Sequence, residues 1–476
     1  MDAERKYGIM RKQFLIISAI VAGSAILPKT VVAGDAGSQK PNIILCMTDD
    51  QGWGDTGYNG HPVLRTPHLD QMAKEGIRFD RFYASSPVCS PTRGSCITGR
   101  HPFRYGIPFA NIGRMKAEEI TLAEVLKAQG YATGHFGRWH LGSLTTRIKD
   151  AHRGRPGLKR HYSPPWEHGY DKCFVTESAV PTYWKDNDYE SFGTQYWTGL
   201  NETVPAEDIV GDDSKLIMDR ALPFIGKAAI EKTPFLAVIW FHAPHSPAVS
   251  APPYTDGYDE NKDYYGCITA MDEQMGRLRA ELKSLAIEEN TMLWFCSDNG
   301  PSHKYGGSTK GLRRRKGSLY EGGVRVPGLL VWPKMIQKAR VVAVPCSTSD
   351  YFPTVLDSLG YQLPEAKTRP YDGISLMPLI RNEMVERPRP IAFETCRSQR
   401  HAMAGDHSVN QTAVIDNRYK IFSGDAGNTY ELYDLVADQG ETNNIAQQHP
   451  GIVKRMRRTL EAWRQSCKES SNGNDY

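Results

Sequence analysis

The run Cys89-Ser90-Pro91-Thr92-Arg93 places a thiol, a proline and a guanidinium at spacings that allow them to act together. Proline is well suited to the first turn of a helix, so Pro91 predicts a helix running toward Thr98. Cys89 is then expected just before the helix N-terminus, where unpaired backbone N–H groups favour an anion. Arg93 lies one turn further on and can reach back to an oxyanion. Read alone, the run is also a capped helix with an incidental cysteine.

Four more segments put chemistry at the ends of apolar runs: Thr48-Asp49-Asp50, Ser297-Asp298-Asn299-Gly300, His242-Ala243-Pro244-His245 and Gly137-Arg138-Trp139-His140. Oxygen donors without a cysteine pair or a paired-histidine zinc motif suit a hard cation such as calcium or magnesium. Adjacent Asp49 and Asp50 share a partly buried site comfortably only with a cation between them. Taken alone, Asp49-Asp50 is more often a solvated turn, and Asp298-Asn299-Gly300 also fits a plain Asn-Gly turn. Either histidine also fits a structural role.

These residues need a scaffold that brings strand ends together. Residues 42–47, 235–241, 292–296 and 328–332 read as buried strands of a parallel sheet, with 131–136 a weaker one. Helical patterns lie between them. Over 264–285, Ile268, Met271, Met275, Leu278 and Leu282 recur at spacings of three and four. Residues 122–129 and 216–230 are similar, with a kink expected at Pro223. Alternating strands and helices predict an α/β fold, a large mostly parallel sheet flanked by helices. Ligands in such sheets bind beyond the carboxyl ends of the strands.

Residues 142–210 are rich in Gly, Pro, Tyr, Trp and charge, and read as long loops over one sheet edge. The expected organisation is an α/β domain over 40–383 and a smaller C-terminal α+β subdomain over 384–468. The boundary lies near RNEMVERPRP (381–390). The subdomain has strand candidates at 413–416, 419–422 and 430–435, then a helix carrying Ile452, Met456, Leu460 and Trp463. Residues 469–476 read as a polar, frayed tail.

Residues 1–33 read as an export signal: a basic start, an apolar run over 14–27 and a small-residue site at Val31-Val32-Ala33. A retained anchor is the alternative, and Met10 offers a second start. No later segment has the length and apolarity of a membrane span, so an exported periplasmic or extracellular protein with no stable span after processing is expected. Across 476 residues, 40% hydrophobic and 24% charged with net charge +4, the composition is that of an ordinary globular chain. So small a basic excess argues against a nucleic-acid binder. Nine cysteines are an odd number for an exported protein. Cys46 and Cys296 lie in apolar runs and are expected to be buried; Cys89 needs a separate explanation.

Six motifs, in order, resemble the formylglycine-dependent sulfatases of the alkaline phosphatase superfamily. They are 41–54 (PNIILCMTDDQGWG), 89–100 (CSPTRGSCITGR), 137–142 (GRWHLG), 244–247 (PHSP), 297–300 (SDNG) and 316–327 (KGSLYEGGVRVP). The segments 430–435 (YELYDL) and 441–446 (ETNNIA) resemble that family's closing subdomain.

The resemblance implies that Cys89 is oxidised to formylglycine by a maturation enzyme, which accounts for the ninth cysteine. The aldehyde hydrates to a geminal diol, one hydroxyl attacks sulfur, and the other expels sulfate. It implies one calcium ion held by Asp49, Asp50, Asp298 and Asn299 and contacted by the residue at Cys89. Arg93 orients the diol, His140 matches the base that collapses the sulfated intermediate, and His245 with Lys316 binds sulfate and protonates the leaving oxygen. Read locally, Lys316 is also the end of the basic run Arg313-Arg314-Arg315-Lys316.

Two positions depart from the family pattern. Arg138 stands where lysine is usual, keeping the charge on a larger, planar group. Thr92 stands where serine or alanine is commoner. The expected substrate is a sulfated carbohydrate. Alternatives are a phosphodiester or phosphonate ester hydrolase of the same superfamily, or a weakly catalytic sulfated-glycan binder. Aromatic and histidine side chains over 162–184 are candidates for stacking on a sugar, and the basic residues of 152–160 and 313–315 for reading further sulfates. Asn201 and Asn410 head N-x-T triplets that fit glycosylation acceptors.

Overall fold

The run NIILCMT becomes the strand Asn42–Thr48 (β1), and its side chains alternate between two cores. Ile43, Leu45 and Met47 face one core, while Ile44 and Cys46 face the other. A strand buried on both sides reads as continuous apolar sequence, which is why it was legible. The computed structural model describes residues 40–185, 192–364, 369–405 and 407–475. The proposed export signal and its cleavage site therefore lie outside the described residues.

Nine more strands join β1: Ile77–Phe79 (β2), Ala132–Arg138 (β3), Lys172–Thr176 (β4), Trp197–Gly199 (β5), Glu202–Thr203 (β6), Phe235–Trp240 (β7), Thr291–Ser297 (β8), Gly328–Val331 (β9) and Arg340–Val342 (β10). The ten-stranded sheet has the order β10-β2-β9-β8-β1-β7-β3-β4-β5-β6. Strands β8, β1, β7, β3 and β4 are parallel neighbours. The α/β expectation is borne out, with two corrections. Strand β9 runs antiparallel to β8, not parallel. Strand β4 belongs to the central sheet although it lies within the stretch read as loops. Its five residues are too few to show a pattern, yet Cys173 and Phe174 enter opposite cores.

Two long helices cover one face: Asp213–Ile230 and Lys262–Ser284. The first begins three residues earlier than expected, on an Asp212 cap whose side chain accepts from the Lys215 N–H, and continues through Pro223. The second buries Ile268, Met271, Met275, Leu278 and Leu282, as its spacing predicts. Each such side chain stabilises the fold by roughly 1.5–3 kcal/mol when buried. Among the described residues, no helix is long and apolar enough to cross a membrane.

The C-terminal region forms a four-stranded antiparallel sheet: Ile391–Thr395 (β11), Gln411–Asp416 (β12), Tyr419–Ser423 (β13) and Glu431–Asp434 (β14). Strand β11 was not anticipated; it follows directly on the charged 381–390 segment. The helix Pro450–Ser471 packs Met456 and Leu460 against Val414, Ile421 and Leu432. The expectation of a frayed tail is corrected. The helix runs on to Ser471, and Asp475 bonds Arg100 at 2.6 Å. Trp463 donates to Asp372, which also takes a bidentate pair from Arg104 at 2.8 and 3.0 Å.

Candidate active site

The four central strands end level with one another. Thr48 pairs with Ser297, Met47 with Trp240, and Trp240 with Gly137. The residues following them therefore emerge side by side: Asp49 and Asp50 after β1, Asp298 and Asn299 after β8, His245 after β7, Arg138 and His140 from β3. Asp50 and His140 adopt the left-handed region, with φ of 65° and 59°. For non-glycine residues that conformation is uncommon, and it turns the chain sharply at the strand end.

The helix Cys89–Thr98 begins at Cys89 itself, with Val88 as its cap, one residue earlier than the proline suggested. All ten of its residues are buried. The Thr92 hydroxyl accepts from the Ser86 N–H and donates to the Ser86 carbonyl at 2.9 Å, tying the approach loop to the helix. Lys316 brings Nζ to 3.8 Å from Cys89 Sγ and 2.5 Å from Asp50 Oδ1. Burial pushes the Cys89 thiol up, opposed by Lys316 and Arg138. Burial also works against the Lys316 ammonium, but Asp50 and Cys89 outweigh it and hold the charge in place.

The carboxylates form a compact group. Oxygens of Asp49 and Asp298 and the Cys89 sulfur all lie within 4.8 Å of one another. Arg93 Nη2 reaches Asp298 at 2.7 Å and Asp49 at 3.0 Å, and Arg138 Nη1 bonds the same Asp49 oxygen. Asn299 donates to Asp50 at 2.7 Å, and His245 Nε2 lies 3.9 Å from Asp50. Burial alone would raise the Asp49 carboxyl; Arg138, His245 and Arg93 outweigh it and hold it well below the usual carboxylate range. Asp298 is pushed up to about 7 by burial and by Asp49. Burial lowers His245 to about 4 against the pull of Asp49.

Two buried acceptors, Asp49 Oδ1 and Asn299 Oδ1, have no hydrogen-bond partner in the described structure. An unpaired buried carboxylate oxygen is costly. These oxygens, beside Asp50 and Asp298, fit a hard divalent cation. Arg93, expected to reach back toward the helix N-terminus, instead bonds the two carboxylates and the Arg138 carbonyl at 3.1 Å.

His140 is fully buried and its Nε2 lies 2.6 Å from Asn111 Oδ1. Burial and the nearby Arg138 hold its pKa well below the ordinary imidazole value. Sequence reasoning missed Asn111, for which no local signal exists. It also missed the pair Arg153–Glu177 at 2.6 Å, through which Arg153 Nη2 donates to the His140 carbonyl at 2.9 Å. Nor was His242 assigned a partner; it lies 2.7 Å from Asp213 and 2.8 Å from Thr176 and serves as a buried strut.

Several substrate-reading candidates prove structural. Arg153 is 3% exposed and committed to Glu177. His168, Tyr170 and Trp184 are buried in the cores rather than offered to a sugar. Asn410 is 0% exposed and donates to Glu394, which removes it as a glycosylation acceptor. All nine cysteines are free and buried.

Comparison with known proteins agrees with this geometry. A sulfatase family profile matches residues 41–361, and the C-terminal profile of N-sulphoglucosamine sulphohydrolase matches residues 314–466. The N-acetylgalactosamine-6-sulfatase of Canis lupus familiaris is 31% identical over 405 residues, covering 79% of this chain and 70% of that one. The solved structure of Ps i-CgsB in complex with k-i-k-neocarrahexaose superposes with a TM-score of 0.79 at 26% identity, over 91% of this chain and 94% of the other. The phosphonate monoester hydrolase of Agrobacterium radiobacter shares the fold at 20% identity and a TM-score of 0.66, over 90% and 96% of the two chains.

Proposed function

The chain belongs to the sulfatase family of sulfuric ester hydrolases, and we propose that it is exported and desulfates a sulfated carbohydrate through a formylglycine made from Cys89. The observation that carries this reading is the placement of Cys89: first residue of a buried helix, against four strand ends, with Lys316 and two carboxylates around its sulfur. The glycan substrate is supported by the relatives, one an N-acetylgalactosamine-6-sulfatase and another solved in complex with k-i-k-neocarrahexaose.

Each residue has a physical task. The matured Cys89 aldehyde supplies the covalent nucleophile when hydrated. Asp49, Asp50, Asp298 and Asn299 would hold a calcium ion, which supplies positive charge where charge develops on the transferring sulfate. Arg93 acts as a positioning residue, fixing Asp49 and Asp298 against each other. Lys316 and His245, on either side of Asp50, bind sulfate oxygens and deliver the proton to the leaving alcohol. His140, held by Asn111 and by Arg153 at its carbonyl, is the base for release. Arg138 keeps Asp49 ionised in place of the family's lysine.

The test is free sulfate released from a panel of sulfated glycans and one aryl sulfate, by protein co-expressed with a maturation enzyme. Mass spectrometry of the Cys89 peptide runs alongside, with Cys89→Ala as control. Sulfate release that disappears in the control is the expected result. Faster turnover of a phosphate diester or phosphonate ester would move the protein to the other branch of its superfamily. Glycan binding unchanged by Cys89→Ala, with no turnover from aldehyde-bearing protein, would make it a binder.

A further inference from the structure

The basic run Arg313-Arg314-Arg315-Lys316 divides its four charges among different tasks. Arg313 stacks over the Tyr320 ring at 3.9 Å and donates to Tyr433 at 2.7 Å. Arg315 donates to the Gly307 carbonyl at 2.5 Å. Lys316 turns inward to Asp50 and Cys89. Arg314, in the left-handed region at φ 64°, turns the other way and is exposed.

This division depends on a close backbone approach. A Cβ on Gly322 would lie 2.1 Å from the Arg314 carbonyl, and one on Gly323 would lie 2.0 Å from that of Ser318. Only glycines let the loop rest there. Gln411 on β12 holds the loop from the other side, donating to the Gly317 carbonyl and accepting from the Leu319 N–H, both at 3.0 Å.

Between this loop and the C-terminal sheet lies a cavity of about 330 Å3. Lys316, Arg314, His303 and Arg397 line it together with Tyr320 and Phe422, whose rings stack at 4.0 Å. Among the described residues, no carboxylate lines the cavity. Arg314, Arg397 and His303 are exposed, and none has a hydrogen bond, ion pair or ring contact among the described residues. Elsewhere in this protein buried or half-buried arginines are engaged, as Arg93, Arg153, Arg325 and Arg387 are. Cations left unpaired around one acid-free concavity form a ready site for an anion.

We propose that this cavity is a second anion subsite, in which Arg314 and Arg397 grip a further sulfate or carboxylate on the glycan whose ester lies at Lys316. This rests on the sulfatase reading above, and it makes the preferred substrate a saccharide carrying at least two anionic groups. The segment just after β11 thereby contributes a specificity-determining residue, Arg397, although the C-terminal sheet supplies none of the residues around Cys89.

The experiment compares Arg314→Ala, Arg397→Ala and the double variant with the parent on four probes. These are p-nitrophenyl sulfate, kappa-carrageenan disaccharide with one sulfate, iota-carrageenan disaccharide with two, and chondroitin sulfate disaccharide with one sulfate and a uronate carboxylate. Binding of the disaccharides is measured by calorimetry on the same variants carrying Cys89→Ala, so that the outcome does not depend on turnover. Each single variant should weaken binding of a doubly anionic probe roughly tenfold, as loss of a charged hydrogen bond does. Turnover of p-nitrophenyl sulfate should change less than about threefold, because Arg314 and Arg397 do not contact the groups around Cys89.

Loss confined to iota-carrageenan identifies a second sulfate; loss confined to chondroitin sulfate identifies a carboxylate. Binding of every disaccharide unaltered by the double variant overturns the proposal, as does equal loss on the aryl sulfate and the saccharides. Failure of the sulfatase reading has a different signature: no sulfate from any probe while the calorimetric differences persist.

Discussion

Replacing Arg138 tests the charge balance of the site most directly. One Asp49 oxygen accepts from Arg93 at 3.0 Å and also from Arg138, and all three side chains are almost fully buried. At 3 Å and an effective dielectric constant near 20, each such pair is worth about 5 kcal/mol of attraction before desolvation is subtracted. Arg138→Met removes one of the two cations and leaves the carboxylate buried. Breaking a buried pair costs about 3–5 kcal/mol, and Arg93 remains, so a loss of roughly 3 kcal/mol is expected. Arg138→Lys retains the charge. The one hydrogen bond from Arg138 to Asp49 is from Nη1, and Nε has no partner in the described structure, so the planar fork adds little here. The lysine variant should stay within about 1 kcal/mol of the parent. Its sulfate release should equal or exceed the parent's, because a compact ammonium leaves more room beside Cys89. The assay is urea unfolding by far-ultraviolet circular dichroism, with and without calcium, beside sulfate release on the same preparations. A methionine variant as stable as the parent would refute the charge argument. Total loss of turnover in Arg138→Lys would show that Arg138 serves chemistry that lysine cannot perform.

Calcium removal should lower thermal stability as well as sulfate release, since a ligand at 100 times its Kd adds about 2.7 kcal/mol to the folded state; an unchanged Tm after prolonged chelation would count against the carboxylate assignment. His101 predicts acid lability. Burial lowers its pKa to about 3, and its ring nitrogens face the N–H groups of Phe103 at 3.3 Å and Glu394 at 3.4 Å, beside Asp372, Arg104 and Trp463. The unfolded histidine takes up a proton near pH 6.5 and the folded one does not, so its contribution is fully present above that pH. It is lost on acidification at up to roughly 1.4 kcal/mol per unit. His101→Gln should flatten the slope of stability between pH 6 and 4, and an unaltered slope would exclude His101 as the source. Gly323→Ala should displace the Lys316 loop, because its Cβ would lie 2.0 Å from the Ser318 carbonyl. We expect at least a tenfold fall in kcat/KM on the aryl sulfate, and parental activity would mean that the loop yields without moving Lys316.

The reaction class and the central strands were legible in the residues alone. Strands β1, β7 and β8 are continuous apolar runs because both sheet faces are covered, and the motif residues follow them directly. Ligand candidates at strand ends are legible because parallel strands of one sheet finish on one edge. Which strands are neighbours, and so that Asp49, Asp298 and Cys89 share one space, emerged only on folding. So did the direction of β9, the membership of β4 and the existence of β11, since pairing depends on partners distant in the chain.

Charge was the least legible property. In sequence Arg93, Arg153, Arg313, Arg314 and Arg315 are equivalent basic residues. In the fold Arg93 and Arg153 neutralise buried carboxylates, Arg313 covers an aromatic ring, and Arg315 caps a carbonyl. Arg314 alone of these five faces an open cavity without a partner among the described residues. Composition sets how many charges a chain carries, but burial and the distance to the nearest opposite charge decide which remain free to meet a ligand, and those two quantities exist only after folding.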